Sequence, residues 1–427
     1  MRYSTINSNL FKKNRARLIE KMAVNSVAIF HSNDLMPKNA DQVMSFVQNS
    51  DLFYLSGIDQ EETVLVIIKL SGQAREMLFI RETSDLIKVW EGKKLTIDQA
   101  SSISGIDEVL WNKSFKHELN AIVSNISNIY LNSNDHPRAN IVVESRDARF
   151  KKWIQNKFPN KNYKKATHLL YAMRSIKELE EIDLIKKACD ITHLGVQRVF
   201  RFLKPGVYEY EIEAEIIHEF LINRASGFAY DPIIATGSNA CILHYSENNM
   251  RCEKGDLVLM DFGAEYANYS SDLTRCFPVS GRFSKRQKDV YNAVLRVMKS
   301  ATKILQPGLM LSNYEKMVGE LMEKELVDLG LLSIAELKEG WQDGPAYKKY
   351  FMHGTSHHLG LDVHDVSAHH EPIAENMVFT CEPGIYIPEE GLGIRLENDI
   401  VIREGNNIDL MGHIPIEIEE VENGLNI

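Results

Sequence analysis

The sequence predicts an α/β protein of two domains: a smaller N-terminal α/β domain, then a larger one built from a duplicated helix–helix–sheet unit. Three observations carry this expectation. The 427 residues exceed one ordinary domain, at roughly 150 residues per domain. Short β-branched runs alternate with helical periodicity over the first ~170 residues. Helix pairs whose first member ends in the same Leu-x-Pro-Gly stop then occur twice, at Leu203-Lys204-Pro205-Gly206 and at Leu305-Gln306-Pro307-Gly308.

Composition narrows the function classes. Hydrophobic residues at 44% and charged residues at 25% exclude a disordered or collagen-like chain. Lys+Arg of 49 against Asp+Glu of 59 leaves a net charge of −10, which repels phosphate backbones and argues against nucleic-acid binding. The longest apolar runs, such as residues 64–68, fall far short of the ~20 residues needed to span a bilayer. Residues 1–7 lack the apolar core and cleavage-type small residues of a signal peptide. Five scattered cysteines (Cys189, Cys241, Cys252, Cys276, Cys381), without a CxxC pair, read as reduced thiols. The expectation is a cytoplasmic protein with no membrane partner.

The elements follow in order. Residues 11–22 form a basic amphipathic helix with Leu18, Ile19 and Met22 on its apolar face. Residues 27–30 and 64–68 read as buried strands, and Leu52-Phe53-Tyr54-Leu55 runs into a turn at Gly57. Residues 129–131 and 141–143 read as further strands flanking Asp135-His136-Pro137. This part holds no acidic or histidine cluster. The boundary falls near residues 164–174, which gives domains of 1–170 and 171–427. Beyond it, Ser175 with Glu178 reads as a capping box. Ile182, Ile185, Cys189, Thr192, Val196, Val199 and Leu203 then make one helical stripe, followed by a second helix over about 209–224 with Gly227 past its end. In the second copy, Ser284 with Gln287 caps a helix carrying Val290, Val294, Val297, Ala301 and Ile304, and another helix follows over about 313–326. Each pair precedes a strand-rich stretch, 231–278 or 353–402.

The chemistry-bearing residues concentrate in those two stretches. Six of the fourteen histidines lie from His353 to His370. His353 and His357 have the spacing of a zinc-peptidase helix, but Gly354, Thr355 and Ser356 are poor helix formers and the glutamate of HExxH is missing. Gly354 and Gly360 point instead to a loop or strand approaching a ligand closely. Residues 257–263 form an apolar strand that delivers Asp261; Asp272 opens a second run, and a hairpin would aim both acids at one point. Glu382 ends another apolar strand, and Glu397 follows in Arg395-Leu396-Glu397. Acids embedded in apolar strands are costly unless paired or bound to metal. Asp261, Asp272, Glu382 and Glu397 supply four negative charges, which two divalent cations would neutralise, with His357 as a nitrogen ligand. That hard donor set favours Mn²⁺, with Co²⁺, Fe²⁺ or Zn²⁺ as alternatives.

These motifs resemble those of the pita-bread metallopeptidases, a family that includes methionine aminopeptidase, prolidase and aminopeptidase P. Asp261 and Asp272 with ten residues between, His353-Gly354-Thr355-Ser356-His357, Glu382-Pro383-Gly384 and Arg395-Leu396-Glu397 occur in that family's order. Residues 48–57 resemble its creatinase/prolidase-type N-terminal domain, so nearly the whole chain is covered. Residues 241–248 and 360–365 resemble markers of its bacterial aminopeptidase P branch.

The resemblance implies a pita-bread domain of two pseudo-symmetric halves and assigns roles. Asp261 and Asp272 would bind one metal, His357 and Glu382 the other, and Asp272 and Glu397 would bridge both. Glu382 would be the general base for a metal-bridging hydroxide. His244 and His364 would flank the site to bind substrate and stabilise the tetrahedral intermediate, and His353, Tyr386 and Arg395 would orient it. His358, His369 and His370 match no motif role and read as structural or solvated. Cys276 and Cys381 stand where relatives often carry Thr or Val, which suggests oxidation sensitivity. The implied activity is release of an N-terminal residue from a peptide with proline second. Prolidase is the alternative, and a non-catalytic binding protein or a metal-independent hydrolase is disfavoured by the complete ligand set. The N-terminal domain is expected to support a dimer or tetramer and to narrow access to the site.

Overall fold

The computed structural model describes residues 3–342, 344–368 and 371–425. His369 and His370 lie outside the described residues. The chain divides into two compact units between Arg174 and Ser175.

The first unit contains α1 (Ser8–Lys21), β1 (Ser26–His31), α2 (Ser50–Ser56), β2 (Val64–Leu70), β3 (Gln73–Ile80), α3 (Asp85–Glu91), α4 (Ile97–Ser104), β4 (Glu108–Trp111), α5 (Phe115–Ser124), β5 (Asn128–Leu131), α6 (Arg146–Lys157), β6 (Asn162–Lys165) and α7 (Thr167–Ser175). Its strands make one sheet in the order β4-β3-β2-β1-β5-β6. Only β2 runs against the others, since β1 pairs in parallel with β5, β5 with β6 and β3 with β4. Every residue of β1 is buried, as befits a strand covered on both faces. Val27, Ile29, Val66, Phe79, Leu119 and Ile154 belong to the core between sheet and helices. Helix α2 stops at Gly57 in the left-handed region (φ 67°), where a Cβ would also meet the Phe11 ring at 2.2 Å.

Residues 141–143 do not form the expected strand; Ile141, Val142 and Val143 are exposed in a loop. They come too soon after β5, because a parallel neighbour needs a crossover of a dozen or more residues. That place is taken by β6, which α6 delivers to β5 in the register Asn128↔Asn162.

The second unit opens with α8 (Leu179–Phe202) and α9 (Glu209–Ile222), then β7 (Gly227–Phe228), β8 (Ile233–Thr236), β9 (Leu257–Asp261), β10 (Ala264–Tyr266), β11 (Tyr269–Ser270) and β12 (Thr274–Pro278). The plan returns as α10 (Lys285–Ile304), α11 (Leu311–Asp328), the short α12 (Ile334–Glu339), β13 (Val378–Cys381), β14 (Gly384–Ile387), β15 (Leu392–Arg395), β16 (Asn398–Val401) and β17 (Ile408–Asp409), closed by α13 (Ile418–Gly424). The sheets are β12-β9-β8 and β11-β10-β7 in the first half, β13-β16-β17 and β14-β15 in the second.

The two helix stops do the same job in each half. The Gly206 amide (φ 99°) donates to Cys252 O at 2.8 Å, and the Gly308 amide (φ 85°) to Ile373 O at 2.8 Å. Each accepting carbonyl lies five residues before the strand that carries an acid, β9 or β13. The Ser284–Gln287 capping box forms at the start of α10.

At α8 the cap differs from expectation. Ser175 ends α7, and the box comprises Glu178 and Glu181, whose Oε2 accepts from the Glu178 amide at 2.8 Å. Lys177 draws the chain out of helix between them: its amide donates to Asn376 O and its buried ammonium to Asp365 Oδ2, both at 2.9 Å.

Burial pushes the Glu181 carboxyl up to about 7, against the opposing hydrogen bond from the Glu178 amide, the Lys177 charge and the hydrogen bond from Tyr269. A raised acid is stabilising when protonated, so this contribution is full below the ordinary value of 4.5 and fades as pH rises through about 7. Thermal melts of metal-loaded Glu181→Gln and wild type should therefore diverge in the variant's favour between pH 5 and pH 8. A Tm difference independent of pH would contradict this.

Candidate metal centre

The duplicated plan delivers acids at matching places. Asp261 is the fourth residue after Leu257, the first of β9; Glu382 is the fourth after Val378, the first of β13. Asp272 stands two residues ahead of β12, and Glu397 one ahead of β16. Strand pairing holds these ends together, with Thr274 opposite Asp261 and Asn398 opposite Cys381. Gly263 is obligatory next to Asp261, because a Cβ there would lie 1.7 Å from Ser271 O. The fully buried Arg275 ties the halves by donating to Glu397 O at 2.7 Å and to Asn398 Oδ1 at 2.7 Å.

His357 comes from a loop, not a helix, that runs beside β13. Its amide donates to Thr380 Oγ1 at 3.2 Å, and the Glu382 amide donates to Thr355 O at 2.8 Å. Glu315 of α11 pins this loop by accepting from the Thr355 amide at 2.9 and 3.0 Å and the Ser356 amide at 3.2 Å. At Gly360 a Cβ would press on the protein's own Asp365 carboxylate at 2.3 Å.

Asp272, His357 and Glu397 each offer a donor atom within 4.8 Å of the others. His357 Nε2 is 3.5 Å from Asp272 Oδ2 and 3.6 Å from Glu382 Oε1. Asp261 joins through Tyr230, whose hydroxyl is 2.5 Å from Asp261 Oδ1 and also bonds Asp272 Oδ1. The Arg395 guanidinium bonds the other Asp261 oxygen. Glu397 accepts from Thr274 Oγ1 at 2.6 Å through one oxygen, while its other, buried oxygen has no partner among the described residues.

The electrostatics follow from crowding. Burial raises the Asp261 carboxyl, with Arg395 opposing and Asp272 adding to the rise. Burial lifts Glu382 to about 7, with His357 and Arg395 opposing, and lifts Glu397 well above the carboxylate range, where Asp272 and Glu382 push further. Burial alone would lower His357, but its bond to Asp272 and the charges of Glu382 and Asp272 raise it to about 9. Its Nδ1 donates to His358 O at 3.0 Å, which leaves Nε2 to face the acids with a lone pair when the ring is neutral. An orphaned buried carboxylate oxygen, an imidazole oriented by its other nitrogen and four acids form a donor set that fits divalent cations.

The remaining side chains surround this cluster. Tyr386 OH accepts from Arg395 at 2.8 Å and lies 2.7 Å from His353 Nε2, while His353 Nδ1 donates to Gly354 O at 2.7 Å. Burial and the Arg395 charge depress His353 to about 3, so it is neutral and fully engaged. His364 is exposed, with its ring edge-on to His357 at 4.3 Å between centroids. His244 is exposed on the turn after Gly237–Cys241, and its charge bears on His353. The buried Glu209 of α9 anchors that loop through the Thr236 and Met250 amides and Tyr245 OH at 2.7–2.9 Å. The His358 ring packs on Phe379 at 4.1 Å. Cys276 and Cys381 are fully buried, and burial pushes both thiols up to about 12, so the expected sensitivity to oxidation has no thiolate to support it.

Tyr230, Glu315 and Glu209 escaped the sequence reading. Each is a lone polar residue without a spacing signal, and only Glu209, at the first position of a helix, stands at a place where acids are ordinarily favoured.

The model of metallopeptidase family M24 matches residues 183–404, more than half of the sequence. The chain belongs to metallopeptidase family M24. It is accordingly a hydrolase, a metallo-exopeptidase working with divalent metal ions, and its M24 region has the pita-bread fold. Ahead of that region, residues 11–130 match the model described as aminopeptidase P, N-terminal domain. The M24 chain is 34% identical to Xaa-Pro aminopeptidase of Escherichia coli (strain K12), over 98% of each chain. It is 34% identical to Xaa-Pro aminopeptidase of Haemophilus influenzae, over 97% of each. Among solved structures, a putative aminopeptidase P from Bacillus anthracis is similar with a TM-score of 0.92 at 32% identity, covering 99% of both chains. E. coli aminopeptidase P with the inhibitor Pro-Leu is similar with a TM-score of 0.88 at 32% identity, again over 99% of both. No helix among the described residues is long and apolar enough to cross a membrane.

Removing the hydroxyl that joins Asp261 to Asp272, by Tyr230→Phe, should weaken metal affinity by roughly 10–100-fold, the range for residues supporting metal ligands. Calorimetric titration of the metal-free protein reads this directly. Unchanged affinity in a folded variant would show that the hydroxyl plays no part in organising the acids.

Proposed function

We propose that the enzyme is an Xaa-Pro aminopeptidase that releases the N-terminal residue from peptides with proline in the second position. The observation that carries this reading is end-to-end identity to enzymes of that name, across both the N-terminal and the M24 regions. Asp261 and Asp272 would hold one cation, His357 and Glu382 a second, with Asp272 and Glu397 shared between them. Mn²⁺ is favoured by the oxygen-rich set, over Co²⁺, Fe²⁺ or Zn²⁺. Cations held there would supply a water of lowered pKa and polarisation of the scissile carbonyl.

The chain's own groups do the rest. Glu382, at the end of β13 and 3.6 Å from His357 Nε2, would take a proton from the attacking water and return it to the leaving nitrogen. His364, whose ring meets that of His357, and His244, whose charge reaches His353, would hold the substrate and the oxyanion that develops on its carbonyl. Arg395 fixes Asp261 and, with Tyr386 and His353, forms a bonded wall that orients the peptide. Proline has no N–H and a φ fixed near −65°, so the site reads the ring by shape and leaves the amine to the acids.

Residues 171–427 carry the catalysis in this reading. Residues 1–170 support assembly into a dimer or tetramer and narrow access; the exposed Leu86, Val89 and Trp90 of α3, a helix with no buried residue, support an interface there. A cytoplasmic location accords with the unpaired cysteines.

The test compares a Xaa-Pro-Yaa tripeptide with the Xaa-Pro dipeptide after metal is stripped and Mn²⁺ restored. The tripeptide should be the better substrate, and activity should return only with metal; preference for the dipeptide would make the enzyme a prolidase. Asp261→Ala should abolish turnover of Xaa-Pro-Yaa peptides, and retained turnover by purified variant would refute the assignment. Light scattering should find more than one subunit, and a monomer would remove the role given to residues 1–170.

A further inference from the structure

A cavity of about 580 Å³ opens in the first unit at one edge of its sheet. His31 closes β1 there, Val64 begins the antiparallel β2, and Asn112 follows the end of β4, so this is the carboxyl edge of the strands that run together. Crevices at that edge are where open α/β sheets hold small ligands, and the volume is in the ordinary range for them.

The floor is a buried histidine. His31 is 3% exposed, and its Nδ1 lies 2.8 Å from Asp147 Oδ1, which takes that N–H. Nε2 has no partner among the described residues, so it is the polar atom His31 can offer the cavity. The wall is aromatic and continuous. The Phe150 ring lies 4.3 Å from His31 and 5.6 Å from Trp153 between centroids.

The rim is cationic and short of counter-charge. Lys113, Lys116 and Arg146 line the cavity, and none has a carboxylate partner among the described residues; Arg146 donates to Ser32 Oγ at 3.0 Å. Arg149 alone is paired, with both oxygens of Asp34 at 2.8 and 2.9 Å. No acid is among the lining residues. Lys116 and Arg146 stand in the first turns of α5 and α6, the positive ends of two helix dipoles, where a cation is disfavoured and an anion stabilised. Each of these turns also carries an acid, Glu118 or Asp147, so an anion seated between the helices would answer chiefly the unpaired Lys113, Lys116 and Arg146.

We propose that this cavity binds a small anion carrying a flat unsaturated ring, with the ring against Phe150 and Trp153, the anionic group on Lys113, Lys116 and Arg146, and a polar ring edge on His31 Nε2. The inference is independent of the peptidase reading. The shared chemistry has two sources, aromatic carboxylates and nucleoside monophosphates, and the probes separate them.

Calorimetric titration of the full metal-loaded enzyme would use adenosine 5′-monophosphate and indole-3-acetate as ring-bearing anions, with adenosine and inorganic phosphate as controls. One of the two anions should bind at one site per chain, about tenfold or more tighter than either control. Lys116→Glu and Arg146→Glu should each weaken that binding about tenfold or more while leaving kcat/KM on a Xaa-Pro-Yaa peptide unchanged. Lys116→Gln, a milder change at an exposed position, should weaken it in the same direction and guards against misfolding of the charge reversals. Failure of both anions to bind, phosphate binding as tightly as either anion, or binding indifferent to these substitutions would each overturn the proposal.

Discussion

Four largely buried carboxylates converge in one place, and their repulsion governs the rest of the second unit. Two unit charges about 4 Å apart at an effective dielectric of ~20 repel by about 4 kcal/mol, a large part of the 5–15 kcal/mol that holds a typical domain together. Asp272 and Glu397 present oxygens within 4.8 Å of one another, and each has a further acid beside it. Arg395, Tyr230 and Thr274 answer part of this charge. Burial and the remaining repulsion lift Glu382 and Glu397 above the carboxylate range, so that protons or cations must meet the rest of the charge. A site that ionises fully only when metal arrives is ready to bind divalent ions tightly and to release protons as it does so.

Such an arrangement persists only if the backbone cannot relax outward, and duplication supplies the rigidity. Each half follows its helix pair with an apolar strand and delivers an acid at the same distance along that strand. The halves are then stitched through buried groups: Arg275 on the carbonyl preceding β16, Asp399 accepting the Asp272 amide at 3.0 Å, and the Lys177–Asp365 pair. The close approach at Gly263 leaves no room for a side chain between the two arms of the hairpin. The histidine loop, which has no regular hydrogen-bond ladder of its own, borrows one from β13 and from Glu315. The cost of holding like charges together is thus spread over elements distant in sequence.

Much of this was legible in the sequence because the informative features are local. An acid at the end of an apolar strand, a glycine two residues on, and a helix stop repeated with its capping box all lie within a few residues. What was not legible depends on partners far away. Residues 141–143 have strand composition, yet the place beside β5 can be reached only after α6. Ser175 and Glu178 have capping-box spacing, but Lys177 is pulled aside by Asn376 and Asp365 and the box shifts to Glu178 and Glu181. Tyr230 gives no sequence signal, since a single tyrosine before a strand is ordinary until its hydroxyl is seen between two acids. The cavity at the carboxyl edge of the first sheet was equally hidden, its cations coming from the turn before α5, from α5 and from α6, about thirty residues further on.

The claim on which all of this turns is that the five side chains share a pair of ions. Anomalous scattering at the manganese edge, from crystals grown with Mn²⁺, reads it without reference to activity. Two peaks roughly 3.5–4 Å apart, enclosed by Asp261, Asp272, His357, Glu382 and Glu397, are the predicted result. A single peak, or peaks away from these residues, would contradict it.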